Sequence, residues 1–275
     1  MKLQFTNQVV SSFLMTIDNA ILSSGEAFKN ATGLFYPVTG MISGMYAYTT
    51  PYRQLVNDAS ISGANILSGV YVSGVFIKPG QSGLISLNVS EGTAYFSYRP
   101  SAVSGIFAIK DINVYLTTYP EEQLLMETKF LLKPKYPQTI TGLPVTAQTY
   151  PVVYLKKLSS ENVPFCLGGA YDKNIQLRAV VLGESEYQTL AVCDILENLS
   201  QTKQPILNVT GLPFDAIGGF KTVSYNYETA KSGVINSYVA KAQSSHLMNI
   251  RQYNTLNPDV FPAFVDFELW NSFFP

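Results

Sequence analysis

The hydrophobic pattern opens with a helix. Phe5, Val9, Phe13, Ile17 and Ile21 recur at every fourth residue, with Val10 and Leu14 beside that stripe. Thr6 or Asn7 offers an N-cap and Gly25 a C′ glycine, so the spacing predicts a helix over 7–24. The stripe is wide enough to pack on a sheet. The other positions, Gln8, Ser11, Ser12, Thr16 and Asp18, are polar but almost uncharged. Such a face can dock on a neighbouring subunit at low desolvation penalty, because unpaired charge is the expensive group to bury.

From about Thr32 to Thr118 the period becomes that of a strand. Val70 to Ile77 reads as one strand and 79–83 as a turn. Leu84 to Val89 follows with Ile85, Leu87 and Val89 inward, then a second turn at 90–92 and a return over 93–98. Ile106 to Leu116 changes parity: Phe107 and Ile109 share one face, whereas Ile112, Val114 and Leu116 take the next. A single strand with one core face needs an extra residue there, which predicts a β-bulge near Lys110-Asp111; otherwise two strands occupy the segment.

Residues 121–135 fit either a helical turn or a strand. Pro134, Pro137, Gly142, Pro144 and Pro151 then mark a linker or crossing loop. Val152–Leu155 and Phe165–Leu167 are short strand candidates, Gly168-Gly169 a turn, and Asp172-Lys173-Asn174 a hairpin turn. Leu177 to Leu182 runs into a capping box of Ser185 and Gln188. The helix so opened buries Leu190, Val192, Ile195, Leu196 and Leu199. Residues 211–254 are weakly patterned and rich in Tyr, Ser and Asn, which suits an arm or a long hairpin. At the C-terminus Phe261, Phe264, Phe267, Trp270, Phe273 and Phe274 crowd together, with Val265, Phe267 and Leu269 alternating against Asp266, Glu268 and Trp270. This is a strand, either of the core or contributed to a partner.

Composition turns attention to the surface. The chain has 18 Tyr, 16 Phe and one Trp against 18 basic and 19 acidic residues, and only 13% of it is charged. Ordinary domains run near 25%. Interfaces are depleted in Lys, Glu and Asp and enriched in aromatics. The balance fits either an aromatic-rich β fold with a Thr/Ser/Asn/Gly surface or a surface covered by other subunits. The second reading makes Phe261, Phe264, Phe267, Trp270, Phe273, Phe274, Tyr225, Tyr227 and Tyr238 candidate subunit contacts. A formal net charge of -1 argues against a dedicated nucleic-acid or anionic-membrane binder. The N-terminus lacks the apolar run of a signal peptide, and no stretch of 18 apolar residues predicts a membrane span. The four N-x-S/T sequons then read as by-products of composition. Cys166 and Cys193 read as reduced, buried thiols made in a cytoplasm.

Catalytic chemistry is hard to place. His246 is the only histidine, which excludes multi-histidine metal sites, and it lies in a polar stretch with no GxSxG elbow. Asp58, Glu91, Glu161, Asp172, Asp266 and Glu268 could supply the carboxylate pair of a glycoside hydrolase, but no spacing selects a pair. Neither a Walker A sequence nor a GxGxxG fingerprint occurs. The expectation is a non-enzymatic chain without a cofactor or metal.

Several segments together resemble virion structural proteins of tailed bacteriophages, of the neck or tail-terminator kind. They are the helix at 7–24, Tyr-Pro-Val-Val-Tyr-Leu at 150–155, Pro-Phe-Cys-Leu-Gly-Gly at 164–169, Arg-Ala-Val-Val-Leu at 178–182 leading into 185–199, and Phe-Val-Asp-Phe-Glu-Leu-Trp at 264–270. They cover about a fifth of the chain. The resemblance implies a ring-forming α+β body of residues 1–31 and 119–275, and an inserted, β-sandwich-like domain of residues 32–118. The fold class expected is α+β and mostly antiparallel, with an N-terminal and one internal helix. The resemblance also implies a homo-oligomeric ring, hexameric in that family, at the head–tail junction of a virion assembled in the host cytoplasm. Its neighbours would be tail-tube, sheath or neck proteins, with DNA only in transit and no membrane. The rival readings are a receptor- or glycan-binding fibre or baseplate module, which predicts an exposed aromatic groove, and a polysaccharide-degrading enzyme.

Overall fold

A computed structural model describes residues 2–25, 27–52, 55–89, 91–126, 150–164, 171–208, 224–232, 237–247 and 260–273. Helix α1 (Lys2–Leu22) begins before the expected caps, which lie inside it, and Gly25 follows its end with φ +94°. No Pro or Gly interrupts the chain before Gly25, so nothing stops the helix from extending back. Strand β1 (Phe28–Ile42) turns through Ser43-Gly44 into β2 (Met45–Thr49). A second tight turn, Ser73-Gly74, joins β3 (Val70–Val72) to β4 (Val75–Ile77). Both residues of each turn have positive φ, the condition for a two-residue hairpin that matches strand twist. Val70 to Ile77 is therefore a hairpin and not one strand.

Strands β5 (Leu84–Asn88), β6 (Thr93–Phe96) and β7 (Val103–Lys110) complete a seven-stranded antiparallel sheet in the order β4-β3-β7-β1-β2-β6-β5. The long β1 pairs with β7 from Phe28 to Phe35 and with β2 from Tyr36 onward. That change of partner turns the sheet around a core of Phe35, Tyr48, Leu67, Leu84, Phe96 and Phe107. A register shift between Leu84 and Ser86 puts Ile85 outside, while Leu87 and Val89 are buried as expected.

Beyond β7 the chain bends at Asp111-Ile112 and enters β8 (Asn113–Leu116), which pairs in parallel with β9 (Val152–Pro164) of a second sheet. The parity change is thus a crossing between sheets, with two strands and no bulge. Helix α2 (Glu121–Met126) follows; the rest of the expected Pro-rich linker, up to residue 149, lies outside the described residues. Strand β10 (Tyr171–Gly183) feeds helix α3 (Glu186–Glu197). Then come β11 (Lys203–Pro205), helix α4 (Tyr227–Ser232), β12 (Ser237–Leu247) and β13 (Phe261–Phe273). The second sheet has six strands in the order β11-β12-β13-β10-β9-β8, antiparallel except for the β8–β9 pair. The protein is α+β and mostly antiparallel.

Helices α1 and α3 pack on one face of the six-stranded sheet. Ser185 caps α3, its hydroxyl accepting from Gln188 N at 3.2 Å, and Gln188 Oε1 accepts from Glu184 N at 3.0 Å. Val192 and Leu196 are buried as predicted. Leu190 is exposed, and Thr189 takes its place, donating from Oγ1 to the Phe261 carbonyl at 2.7 Å. The helix rotates so that this bond ties it to β13. Asp172-Lys173-Asn174 lies within β10 rather than in a turn. The connection between β9 and β10 falls at 165–170, where the Phe165–Leu167 strand and the Gly168-Gly169 turn were expected, outside the described residues.

Candidate functional site

The expected docking face of α1 is covered by the chain itself. Ser12 Oγ accepts from Leu207 N at 3.0 Å, Gln8 Nε2 donates to Leu207 O at 2.7 Å, and Thr16 Oγ1 meets Tyr227 OH at 2.9 Å. Lys110 of β7 reaches Asp18 with Nζ at 2.7 and 2.6 Å from the two carboxylate oxygens. Tyr225 OH donates to the same carboxylate at 3.4 Å. Asp58 lies alongside and accepts from Ser60 N, Tyr227 N and Asn19 Nδ2 at 2.9, 3.0 and 2.9 Å. Gln8, Ser12, Thr16 and Asp18 of that helix face are thus bonded within the chain, to Leu207, Tyr227, Lys110 and Tyr225. Tyr225, Tyr227 and Tyr238 all have phenol pKa values above the ordinary one, chiefly because burial disfavours the phenolate. At Tyr225 the charge of Asp18 adds to that, whereas at Tyr227 the bond with Thr16 partly opposes it.

The aromatic candidates divide by burial. Phe267, Phe264, Tyr227 and Tyr238 are buried in the chain's own core, with the Phe267 and Phe13 rings edge to face at 4.9 Å. Those side chains are not available to a neighbour. Strand β13 sits between β12 and β10, so the C-terminal segment is a core strand. Phe261 and Tyr225 are half-buried. Phe273 closes the described part of β13 as the register partner of Tyr171, and Phe274 lies outside the described residues. Among the described side chains of the set, Trp270 is the exposed one. His246 stands opposite Phe264 in the β12–β13 ladder.

The apolar surface lies elsewhere. Phe76 pairs with Tyr71, Tyr71 with Ser104, and Ser104 with Leu34, making one row across β4-β3-β7-β1; Ile106 and Thr32 form the next row. Leu34 is 57% exposed, Phe76 41% and Ile106 40%. The Phe76 and Tyr71 rings lie 5.2 Å apart. Neither row holds a charge. The opposite face of these strands, with Phe35, Val70, Ile77, Val103 and Phe107, is core. At its other end the exposed face meets α1, where Phe28 and Ala108 join the helix core and Lys110 reaches Asp18. The ladder thus starts as part of one core and runs out past it as an open apolar strip. The signal was in the sequence: Leu34-Phe35, Ile106-Phe107 and Phe76-Ile77 are adjacent apolar pairs, which put apolar side chains on both faces of a strand.

On the outer face of the six-stranded sheet, Arg178 forms a two-pronged pair with Asp266, Nε and Nη2 donating at 2.7 and 2.8 Å. Its guanidinium lies 4.5 Å from the centre of the Phe264 ring. Glu121 of α2 meets Lys156 at 3.2 Å and Arg178 at 3.8 Å, which holds α2 to the sheet. Of the six carboxylates considered for glycoside hydrolysis, Glu161, Asp172, Asp266 and Glu268 lie on this face, and Asp266 and Glu268 are committed to Arg178 and Asn174. Asp58 is committed to the α1 junction.

Cys193 is buried against α1, and its thiol is pushed up to about 12 by burial and by the nearby charges of Glu197 and Asp194. A thiol held neutral in this way is no nucleophile. Cys166 lies outside the described residues. Among the described residues no cluster of His, Cys, Asp and Glu could hold a metal ion, and no helix is long and apolar enough to cross a membrane. No protein-family model matches the chain, and no curated protein matches it.

Proposed function

We propose that this chain is a non-enzymatic structural protein of a tailed-bacteriophage virion, closing into a ring at the head–tail junction as a tail terminator or neck protein. The observation that carries the assembly reading is the uncharged strip of Leu34, Ile106, Tyr71 and Phe76. Contiguous exposed apolar surface marks interaction sites. A strip without charge can be covered by another subunit with little desolvation penalty. The station at the junction rests on the resemblance of the segments at 7–24, 150–155, 164–169, 178–199 and 264–270. Its hexameric order, its neck, sheath or tail-tube neighbours and its virion localisation rest on the same resemblance.

In this reading the net charge of -1 suits a channel wall past which DNA slides, since dense phosphate contacts would hold it. The interface is heterologous: the strip on one subunit meets a different surface on the next, and the ring closes when the rotation divides the circle. Native mass spectrometry of the purified chain, with electron microscopy of the particle that contains it, tests the proposal. A closed ring of fixed copy number at the junction is expected. A monomer at all concentrations, with no neighbour in a particle, would overturn it.

A further inference from the structure

Within the ring proposed above, and resting on that reading, we infer that the uncharged strip of one subunit is covered by the outward face of helix α3 of the next copy. Helix α3 has two sides. Thr189, Val192, Cys193 and Leu196 are buried on one, against the six-stranded sheet and α1. Tyr187, Leu190, Ala191 and Asp194 follow at helical spacing on the other, and all four are exposed. Tyr187 is 85% exposed, the most of any large apolar side chain described, and Leu190 is 41% exposed. A surface helix that faced only water would carry polar residues at these positions.

The strip is already shaped to take a helix. At one end of the same ladder Phe28 and Ala108 pack into the core of α1. Beyond α1 the open face continues through Ile106 and Thr32 to the row of Leu34, Ser104, Tyr71 and Phe76. Four strands at about 4.8 Å spacing span about 14 Å. Along α3, Tyr187 and Asp194 are about 10 Å apart, so the exposed stripe fits within the strip.

Charge favours α3 over the other exposed aromatic patch. The helix carries Glu186, Asp194 and Glu197, and no Lys or Arg occurs between Arg178 and Lys203. Strands β1, β3, β4 and β7 contain no acid. Of their two lysines, Lys110 is held by Asp18 and Lys29 lies on the parity of Phe35, away from the strip. The acidic helix therefore meets no like charge on these strands. The exposed Lys78, two residues beyond Phe76 on edge strand β4, stands at the rim with the opposite sign. Trp270 and Val239 instead lie among the exposed Lys203, Lys241 and Glu161. Covering that patch with an uncharged strip would leave those charges without partners.

Sedimentation of the full chain tests the contact. Ile106→Lys removes the strip and Leu190→Lys the helix face; each is expected to raise the concentration needed for assembly at least about tenfold, with circular dichroism unchanged. Tyr187→Ser serves if Leu190→Lys fails to fold. An equimolar mixture of the two lysine variants is then made at a concentration where the wild-type chain is assembled. One keeps its helix face and the other its strip, so they join once and cannot close: a dimer with no larger species is expected. Rings that survive any one of the folded variants, or a mixture that stays monomeric, would overturn the α3 contact while leaving the ring standing. A wild-type chain that is monomeric at every concentration would overturn both.

Discussion

Lys110 Nζ donates to both carboxylate oxygens of Asp18, at 2.7 and 2.6 Å, in a pair whose side chains are almost closed to solvent. Lys110 ends β7 of the first sheet, and Asp18 lies on α1, which packs on the second. The bond therefore joins the two halves of the fold. Breaking a buried pair from one side leaves an uncompensated charge, which costs about 3–5 kcal/mol. Lys110→Met is expected to lower the unfolding free energy by about that much in urea titration. Adding Asp18→Leu to that change should recover much of the loss, because the stranded carboxylate is then gone.

The terminal aromatic strand gives a second prediction. Phe267 packs edge to face on Phe13 at 4.9 Å and is fully buried. Phe267→Ala is expected to cost about 3–5 kcal/mol, the range for a large aromatic removed from a core. Thermal melts would show this in the isolated subunit. Removing residues 261–275 should give an unfolded chain, since β13 lies between β12 and β10. A folded monomer after that deletion would instead mean that the segment serves a partner.

Alkaline pH should weaken the fold. Cys193 is raised to about 12 from an ordinary value near 9, and Tyr225 and Tyr238 are raised well above 10. In each case the unfolded chain releases the proton first. The stability these groups contribute is thus complete below the unfolded pKa values and is lost as pH climbs past them, from about 9 upward for Cys193. The urea midpoint should fall between pH 9 and 12 and stay level with respect to these groups below 9. In a Cys166→Ser background, Cys193 should react with a thiol reagent at pH 8 only after unfolding.

The apolar strip separates assembly from folding. Leu34→Glu and Ile106→Lys alter exposed side chains on the face away from the core. Each should change subunit stability by no more than about 0.5 kcal/mol. If the strip is a subunit contact, the same variants should shift the sedimentation profile from oligomer to monomer. Oligomers that survive both substitutions would place the contact elsewhere.

Much of the fold was legible where one physical rule acts alone. The fourth-residue stripe from Val9 to Ile21, the Ser185–Gln188 cap and the alternation at Val265, Phe267 and Leu269 each specify a local element, and each element is present. Ile85 was misplaced because a register shift inverted the parity of its strand. The crossing from β7 to β8 was only half legible. Its parity change was visible, but a bulge and a passage between sheets leave the same mark in a sequence. Asn174 was read as a turn residue because Asp-Lys-Asn favours turns, and pairing with β9 and β13 overrode that preference.

By itself the sequence determined α1, α3 and the terminal strand, the α+β class and the near-parity of aromatic and charged residues. These follow from local periodicity and composition, which act over a few residues. Which large apolar side chains face outward was decided only by tertiary structure. Phe264, Phe267, Tyr227 and Tyr238 went into the chain's own core, while Trp270, Leu34, Phe76 and Ile106 stayed outside. An aromatic side chain satisfies the hydrophobic effect equally well against its own sheet or a neighbour's. The choice rests on which strands pair across long stretches of chain, and no local pattern encodes that pairing.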